Sequence, residues 1–408
     1  MNGRAARSLC LGLLSCAVLA SSVSGASGVP SSVSGPATSP FLHSFAVSHQ
    51  VFTAYSPDEI SKAYDLQPLY DRSITGAGQT VALIEADRLT MPDLTNFDSK
   101  YSLPVPAVQE FYVGGSPFTL ERNAETNMDV EWLHALAPDA AIQIYYIKNQ
   151  GDANRWKTLA AAVRMAATNG ARITSISLGT CERGAGTQVV AKAFSSVMKA
   201  GMSVFVSSGD DGAHPGPVSQ CGHSFRVAYP AGDPSVVAVG GTSLELNVDH
   251  TIADERAWRL SGGGNFLTKY VPLLRPTWQV APNMPKDKYR WAPDVAFVGD
   301  PDTGVSVAAN GHWSQTGGTS LGAPAWAAIW SLLRQDAQTS GRTLGVAPKV
   351  IYRLGNSTQY STAFHDIVSG SNGKYVAGVG WDAVTGWGTP DASNMAAALA
   401  AGAGSASR

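Results

Sequence analysis

From Thr80 onward, short apolar runs alternate with longer helix-compatible stretches, and this alternation limits the fold more than any other feature. Residues 80–84 (TVALI) follow a glycine turn and read as a buried strand; residues 141–147, 173–178, 203–206 and 236–239 read the same way. Between them, residues 124–136, 153–168 and 187–200 read as helices, the first with Asn123 as a possible cap. Strands separated by helices must pair in parallel, because a hairpin turn cannot contain a helix. The expectation is an α/β fold with a mostly parallel central sheet and helices on both faces. Residues 321–333 are apolar enough for a buried helix, whereas 251–316, rich in Trp, Pro and Gly, read as irregular. Length allows two or three ordinary domains or one large one. No hinge-like linker follows residue 55, so a single unit over 54–402 is favoured.

The first 53 residues lie outside this pattern. Arg4 and Arg7 precede an uncharged apolar stretch at 8–20, and Ser24-Gly25-Ala26 offers small residues for cleavage. Residues 1–26 therefore read as a secretory signal peptide; a retained anchor and a lipoprotein at Cys16 are the alternatives. Residues 27–53 read as a disordered Ser/Gly/Pro-rich leader. Removing residues 1–26 deletes two Arg and no acid, leaving 27 basic against 31 acidic residues and only Cys181 and Cys221. That balance argues against nucleic acid as a partner, and no later apolar run is long enough to cross a membrane. Two cysteines in an exported chain suggest one disulfide, with two buried free thiols as the alternative. Its loop of about 40 residues corresponds to up to ~4 kcal/mol.

Chemistry is suggested at several places, each with a plainer reading. The pentapeptide GGTSL occurs at 240–244 and at 317–321. Ser243 lies between strand-like runs, whereas Ser320 opens a helix, with Pro324 tolerated in its first turn. Free N–H groups and the helix dipole there favour a developing oxyanion, which makes Ser320 the better nucleophile. Simple N-capping explains it equally well from local sequence. A serine nucleophile needs a base, yet none of the eight histidines lies in a recognisable triad motif. Glu125 and Asp129 stand four apart, on one helix face, where their titrations should couple; an acidic first turn complementing the helix dipole is the plainer account. His134 lies half a turn round from them and reads as packing or surface. Asp210 and Asp211 follow a strand at the end where parallel sheets place their sites, in a plausible turn. FHDIVSG at 364–370 and AGVGWDAVTGWG at 377–388 offer carboxylate and carbonyl oxygens of the kind calcium takes, or simply two structured turns.

Taken in order, these pieces resemble the sedolisin family of serine-carboxyl peptidases. The resemblance covers residues 54–400 and rests on AYDLQPLYDRSITGAGQTVALIE at 63–85, ETNMDVEWLHALAPDA at 125–140, SISLG at 175–179, SSGDDG at 207–212, GGTSLGAP at 317–324, FHDI at 364–367 and AGVGWD at 377–382. It implies a subtilisin-like fold in which a carboxylate replaces the histidine base. It implies Ser320 as nucleophile, Glu125 as base, Asp129 as the carboxyl orienting that base, and Asp210 as oxyanion donor. Ser177, Leu178 and Gly179 match a substrate-binding strand. Asp366 and Asp382, with the carbonyls of Ile367, Gly378 and Gly380, match the ligands of one structural calcium ion. Glu85 matches an accessory glutamate, but Leu178 stands where some members carry an aromatic residue that extends its network. Family members also carry a long N-terminal pro-region, whereas about 30 residues separate the expected cleavage site from the first motif.

The function so implied is a secreted, acid-acting endopeptidase or tripeptidyl peptidase that hydrolyses protein or peptide substrates as a monomer. Ionised Glu125 accepts the Ser320 proton while Asp210 stays protonated, which places the optimum at roughly pH 3–5 for ordinary carboxyls. The rival is a secreted binding protein that keeps the fold without the activity.

Overall fold

A computed structural model describes residues 54–114, 124–148, 152–181, 186–266 and 274–402. The expected signal peptide (1–26), leader (27–53) and Asn123 cap lie outside them.

Among the described residues, the first half of the chain builds the sheet in the expected rhythm. Helices α1 (Pro57–Ala63) and α2 (Gln67–Tyr70) lead into β1 (Thr80–Glu85). Then come α3 (Met91–Tyr101), β2 (Val108–Tyr112), α4 (Ala124–Leu136), β3 (Ala141–Tyr146), α5 (Asp152–Thr168) and β4 (Ile173–Ile176). Next are α6 (Thr187–Lys199), β5 (Ser203–Ser207), α7 (Val218–Cys221), β6 (Val237–Leu246) and β7 (Ile252–Ala257). After β8 (Gly264–Phe266) and β9 (Arg290–Ala292), β10 (Val295–Val298) completes the sheet, whose order is β10-β6-β5-β4-β1-β3-β2, with β7 on β6. Every pairing along that path is parallel; β7 alone runs antiparallel.

Both faces of the central strands are buried, which is why they are continuous apolar runs and not alternating ones. Successive side chains still point to opposite sides. Val81 and Leu83 join the layer containing Trp132 and Trp326, whereas Ala82 and Ile84 join the layer containing Trp156 and Phe194. Helix α4 and the long helix α8 (Thr319–Thr339) lie on the first side, α5 and α6 on the second. Helix α8 is buried nearly all round, as its apolar composition requires.

Residues 251–316 correct the irregular reading. They contain β7, β8, β9, β10 and the antiparallel hairpin β11 (Val305–Ala309) with β12 (His312–Thr316). Their strands are three to six residues long and are broken by Pro and Gly, too short for hydrophobic periodicity to register. Strand β6 also runs further than expected, to Leu246, because β7 folds back onto it.

Candidate active site

The carboxyl ends of three neighbouring strands and the N-termini of two helices meet at one place. Glu85 is the last residue of β1, Ser177 follows β4, and Asp210 follows β5. Glu125 and Asp129 lie one turn apart on α4, which packs against α8, and Ser320 is in the first turn of α8. The structure therefore brings Ser320, Glu125, Asp129, Asp210, Glu85 and Ser177 together.

Asp210 is anchored to the start of α8. Its Oδ1 accepts from both the backbone N–H and the hydroxyl of Thr319, each at 2.8 Å. Gly209 N–H in turn donates to Thr319 Oγ1 at 3.0 Å. Gly318 sits at φ +105°, and a Cβ there would stand 2.8 Å from Asp210 Oδ2. Glycine is thus required twice over, by the backbone and by the approach of Asp210. Asp129 is held from another side: Ser177 Oγ lies 2.5 Å from Asp129 Oδ2 and 3.1 Å from the Ser320 carbonyl oxygen. Glu85 accepts from Thr126 Oγ1 at 3.1 Å, and the same hydroxyl contacts the Asp87 carbonyl.

What these hydrogen bonds omit is as informative. Ser320 is fully buried, and among the described residues its hydroxyl has no hydrogen-bond partner; neither oxygen of Glu125 has one there, nor has Asp129 Oδ1. Each such buried polar atom costs on the order of 1–3 kcal/mol. A fold tolerates several in one place where an incoming group supplies the partners.

Electrostatics follow from the burial. Desolvation pushes Glu125 well above the ordinary carboxyl range, with Asp87, Glu85 and Asp210 adding to the rise and the Ser320 hydroxyl opposing it. No hydrogen bond of normal geometry joins Ser320 to Glu125, so this opposition reflects proximity alone. Desolvation also lifts Asp129 strongly, followed by repulsion from Glu85 and Glu125. Glu85 is pushed up to about 8 by burial and then by Asp87. Carboxyls this close cannot all ionise together, so they share protons as a group.

Three histidines are engaged elsewhere. His134 is buried against Asp98 at 2.9 Å, His214 pairs with the Ser224 carbonyl, and His250 faces Glu59. Among the described residues no histidine hydrogen-bonds Ser320.

The Ser177-Leu178-Gly179 segment runs out of β4 and pairs through Thr180 with Tyr229. Leu178 packs on the second apolar layer, and Gly179 faces Ala228. The Ser177 side chain is buried and turned inward to Asp129. Cys181 and Cys221 form a disulfide, Cα atoms 5.5 Å apart, which ties this segment to the loop beyond Asp210.

Near the C-terminus, Asp366 accepts from Gly380 N–H at 2.9 Å. Asp382 accepts from the N–H groups of Gly378, Val384 and Thr385 and from the Thr385 hydroxyl. The two carboxylates are therefore gathered on one loop. Burial lifts Asp382 to about 6 despite those bonds. Among the described residues no group of three His, Cys, Asp or Glu stands ready for a metal ion. The expected ligand set has only two carboxylates. The carbonyl oxygens of Ile367, Gly378 and Gly380 accept no hydrogen bond among the described residues. An all-oxygen set with uncommitted carbonyls suits a hard cation.

Sequence reading passed over Asp87 and Thr319. Asp87 follows Glu85 by two residues at the exit of β1 and is buried beside it. Thr319 is the middle residue of the Gly-Thr-Ser motif and tethers Asp210. Adjacency to a chosen residue was the available signal for both.

A model of the subtilase family matches residues 122–388. The chain is 32% identical over 365 residues to kumamolisin of Bacillus sp. (strain MN-32), covering 83% of this chain and 62% of that one. It is 28% identical over 375 residues to sedolisin of Pseudomonas sp. (strain 101), covering 84% and 61%. The chain thus spans about three fifths of the length of these curated relatives. The solved structure of Pseudomonas sedolisin, a serine-carboxyl proteinase complexed with pseudo-iodotyrostatin, superposes with a TM-score of 0.73 at 28% identity, covering 86% of this chain and all of that one.

Proposed function

The chain belongs to the subtilase family and, within it, to the sedolisins; on that premise we propose that it is a secreted serine-carboxyl peptidase, active in acid, with its peptidase domain over residues 54–402. One observation carries the reading: the buried, unpartnered Ser320 hydroxyl faces an unpartnered Glu125 carboxyl, with Asp210 fixed across the same helix turn.

Ser320 Oγ attacks the scissile carbonyl as Glu125 takes its proton. The carbonyl oxygen becomes an oxyanion at the N-terminus of α8, beside the Ser320 N–H. Asp210 Oδ1 is occupied by two Thr319 donors, so Oδ2 is the oxygen that bears the proton offered to the oxyanion. Collapse of the tetrahedral intermediate breaks the C–N bond, and Glu125 returns its proton to the leaving amine, leaving an acyl ester on Ser320. Water then attacks that ester with Glu125 again as base. Asp129 lies one turn along α4, and repulsion between its charge and that of Glu125 keeps at least one proton on the pair. The backbone of Ser177-Leu178-Gly179 is the edge along which a peptide would lie.

Calcium fits the C-terminal turns as a structural ion, held by Asp366, Asp382 and the carbonyls of Ile367, Gly378 and Gly380. It would neutralise charge there and take no part in the chemistry.

The test is a pH–rate profile on denatured protein substrate with Ser320→Ala as control. A bell is expected, rising as Glu125 ionises and falling as Asp210 does. Burial moves the rising limb above the ordinary carboxyl range. Asp210→Asn should lose rate yet retain more of it toward neutral pH, since an amide donates without titrating. A profile that rises through pH 6.5 as a histidine base would, unchanged in Asp210→Asn, defeats the reading.

A further inference from the structure

Pro324 stands four residues after Ser320, inside α8. In an α-helix the carbonyl of Ser320 takes its hydrogen bond from the N–H of residue 324, and proline has none. The nucleophile's own carbonyl is therefore left without its helical donor. Ser177 Oγ fills the vacancy at 3.1 Å. Ser177 Oγ also stands 2.5 Å from Asp129 Oδ2, a separation that requires a proton between the two oxygens. A serine hydroxyl has one proton. If it is given to the Ser320 carbonyl, the proton of the shorter contact must come from Asp129.

We propose that Ser177 is a positioning residue: it accepts a proton-bearing bond from neutral Asp129 and donates to the Ser320 carbonyl, so that one hydroxyl sets the tautomer of Asp129 and replaces the hydrogen bond that Pro324 removes from the nucleophile's turn. This rests on the peptidase reading and refines it. With its proton committed to Ser177, Asp129 can offer only Oδ1 to Glu125, and only as an acceptor. Oδ1 has no hydrogen bond of normal geometry among the described residues, although Glu85 lies close to Asp129. Asp129 then stabilises Glu125 in its protonated state, the state formed as Ser320 attacks. Glu85 from β1, Asp87 beyond it and Glu125 from α4 are the other titratable groups around Asp129, and all three disfavour a charge on it; only a Ser177 hydroxyl that donated to Asp129 would favour one. The Ser177 hydroxyl is consequently committed to the machinery of the nucleophile, although its segment also edges the substrate cleft.

The direction of the bond is measurable without turnover. Protein carrying carboxyl-¹³C aspartate is titrated by NMR, with the Asp129 signal assigned by its loss in Asp129→Asn. Asp129 should be neutral at pH 6 in the wild type. In Ser177→Ala its titration should move down, because the neutral acid has lost its acceptor. A hydroxyl that instead donates to a carboxylate holds the pKa down, and its removal moves the titration up; that outcome, or an ionised Asp129 at pH 6, overturns the proposal while leaving the peptidase reading intact. Inactive wild-type protein with the expected titration has the reverse meaning. In the active enzyme, Ser177→Ala should lower kcat by about tenfold, one hydrogen bond's worth, with KM within about twofold. Ser177→Thr keeps the hydroxyl and should restore most of the rate. A change confined to KM would assign Ser177 to substrate binding and sink its positioning role.

Discussion

The pentapeptide GGTSL appears twice, and the two copies are neighbours in space. Gly318 N–H donates to the Gly299 carbonyl, while Gly299 N–H donates to the Thr242 carbonyl. In the first copy Ser243 lies within β6, and its hydroxyl donates to Asp300 at 2.5 Å. In the second, Ser320 opens α8 and its hydroxyl is bare, although Glu125 faces it. Identical residues, each beside a carboxyl, have opposite fates. The serine of the strand is spent on structure, whereas the serine of the helix is left unsatisfied, as the proposed role of receiving a group from outside requires.

The sharpest way to break this contrast is to exchange the roles. Ser320→Ala should reduce kcat by on the order of 10⁴ or more, and Glu125→Gln by about 10²–10⁴. Ser320→Ala should not lower the melting temperature, because it removes an unpaired buried hydroxyl. Loss of activity in Ser243→Ala with activity kept in Ser320→Ala would invert the assignment.

The carboxyls around Ser320 make a second, smaller prediction. A carboxyl whose folded pKa is raised contributes stability fully below its unfolded pKa and loses it as pH rises through the folded value. For Glu85 that window runs from 4.5 to about 8. At about 1.4 kcal/mol per pH unit, the loss across it reaches as much as about 5 kcal/mol. Melting temperature should therefore fall between pH 4.5 and 8, and Glu85→Gln should flatten the slope. A protein equally stable at both pH values would contradict the burial of this cluster.

Smaller still is the effect of metal. If the C-terminal turns hold calcium, saturation at a hundredfold Kd adds about 2.7 kcal/mol, and chelation should lower the melting temperature without changing the form of the pH–rate profile. No shift on chelation, with no metal found by elemental analysis, removes the ion from the account. Smallest is Ser243→Ala, expected to cost about 1 kcal/mol for one hydrogen bond while activity per folded molecule is retained.

The regular part of the fold was legible in the sequence. Residues 124–136 and 187–200 read as helices within a residue of their limits because each is an unbroken helix-compatible run without Gly or Pro. The small strands between 251 and 316 were not legible, since a three-residue strand such as β8 carries no period to detect. Local spacing put Glu125 and Asp129 on one helix face, and dipole arguments preferred Ser320 over Ser243.

By itself, then, the sequence determined the alternation that forces a parallel sheet, the paired carboxyls on α4 and the serine at a helix start, because each depends on residues within a few turns of one another. Only the tertiary structure decided which groups meet. It carried Glu85, Ser177 and Asp210 to one end of the sheet, left Ser320 bare while pairing Ser243, and turned the Ser177 hydroxyl toward the carbonyl that Pro324 leaves open. A hydrogen bond depends on a few tenths of an ångström between atoms far apart in the chain, and only the packing of whole helices against the sheet fixes such distances.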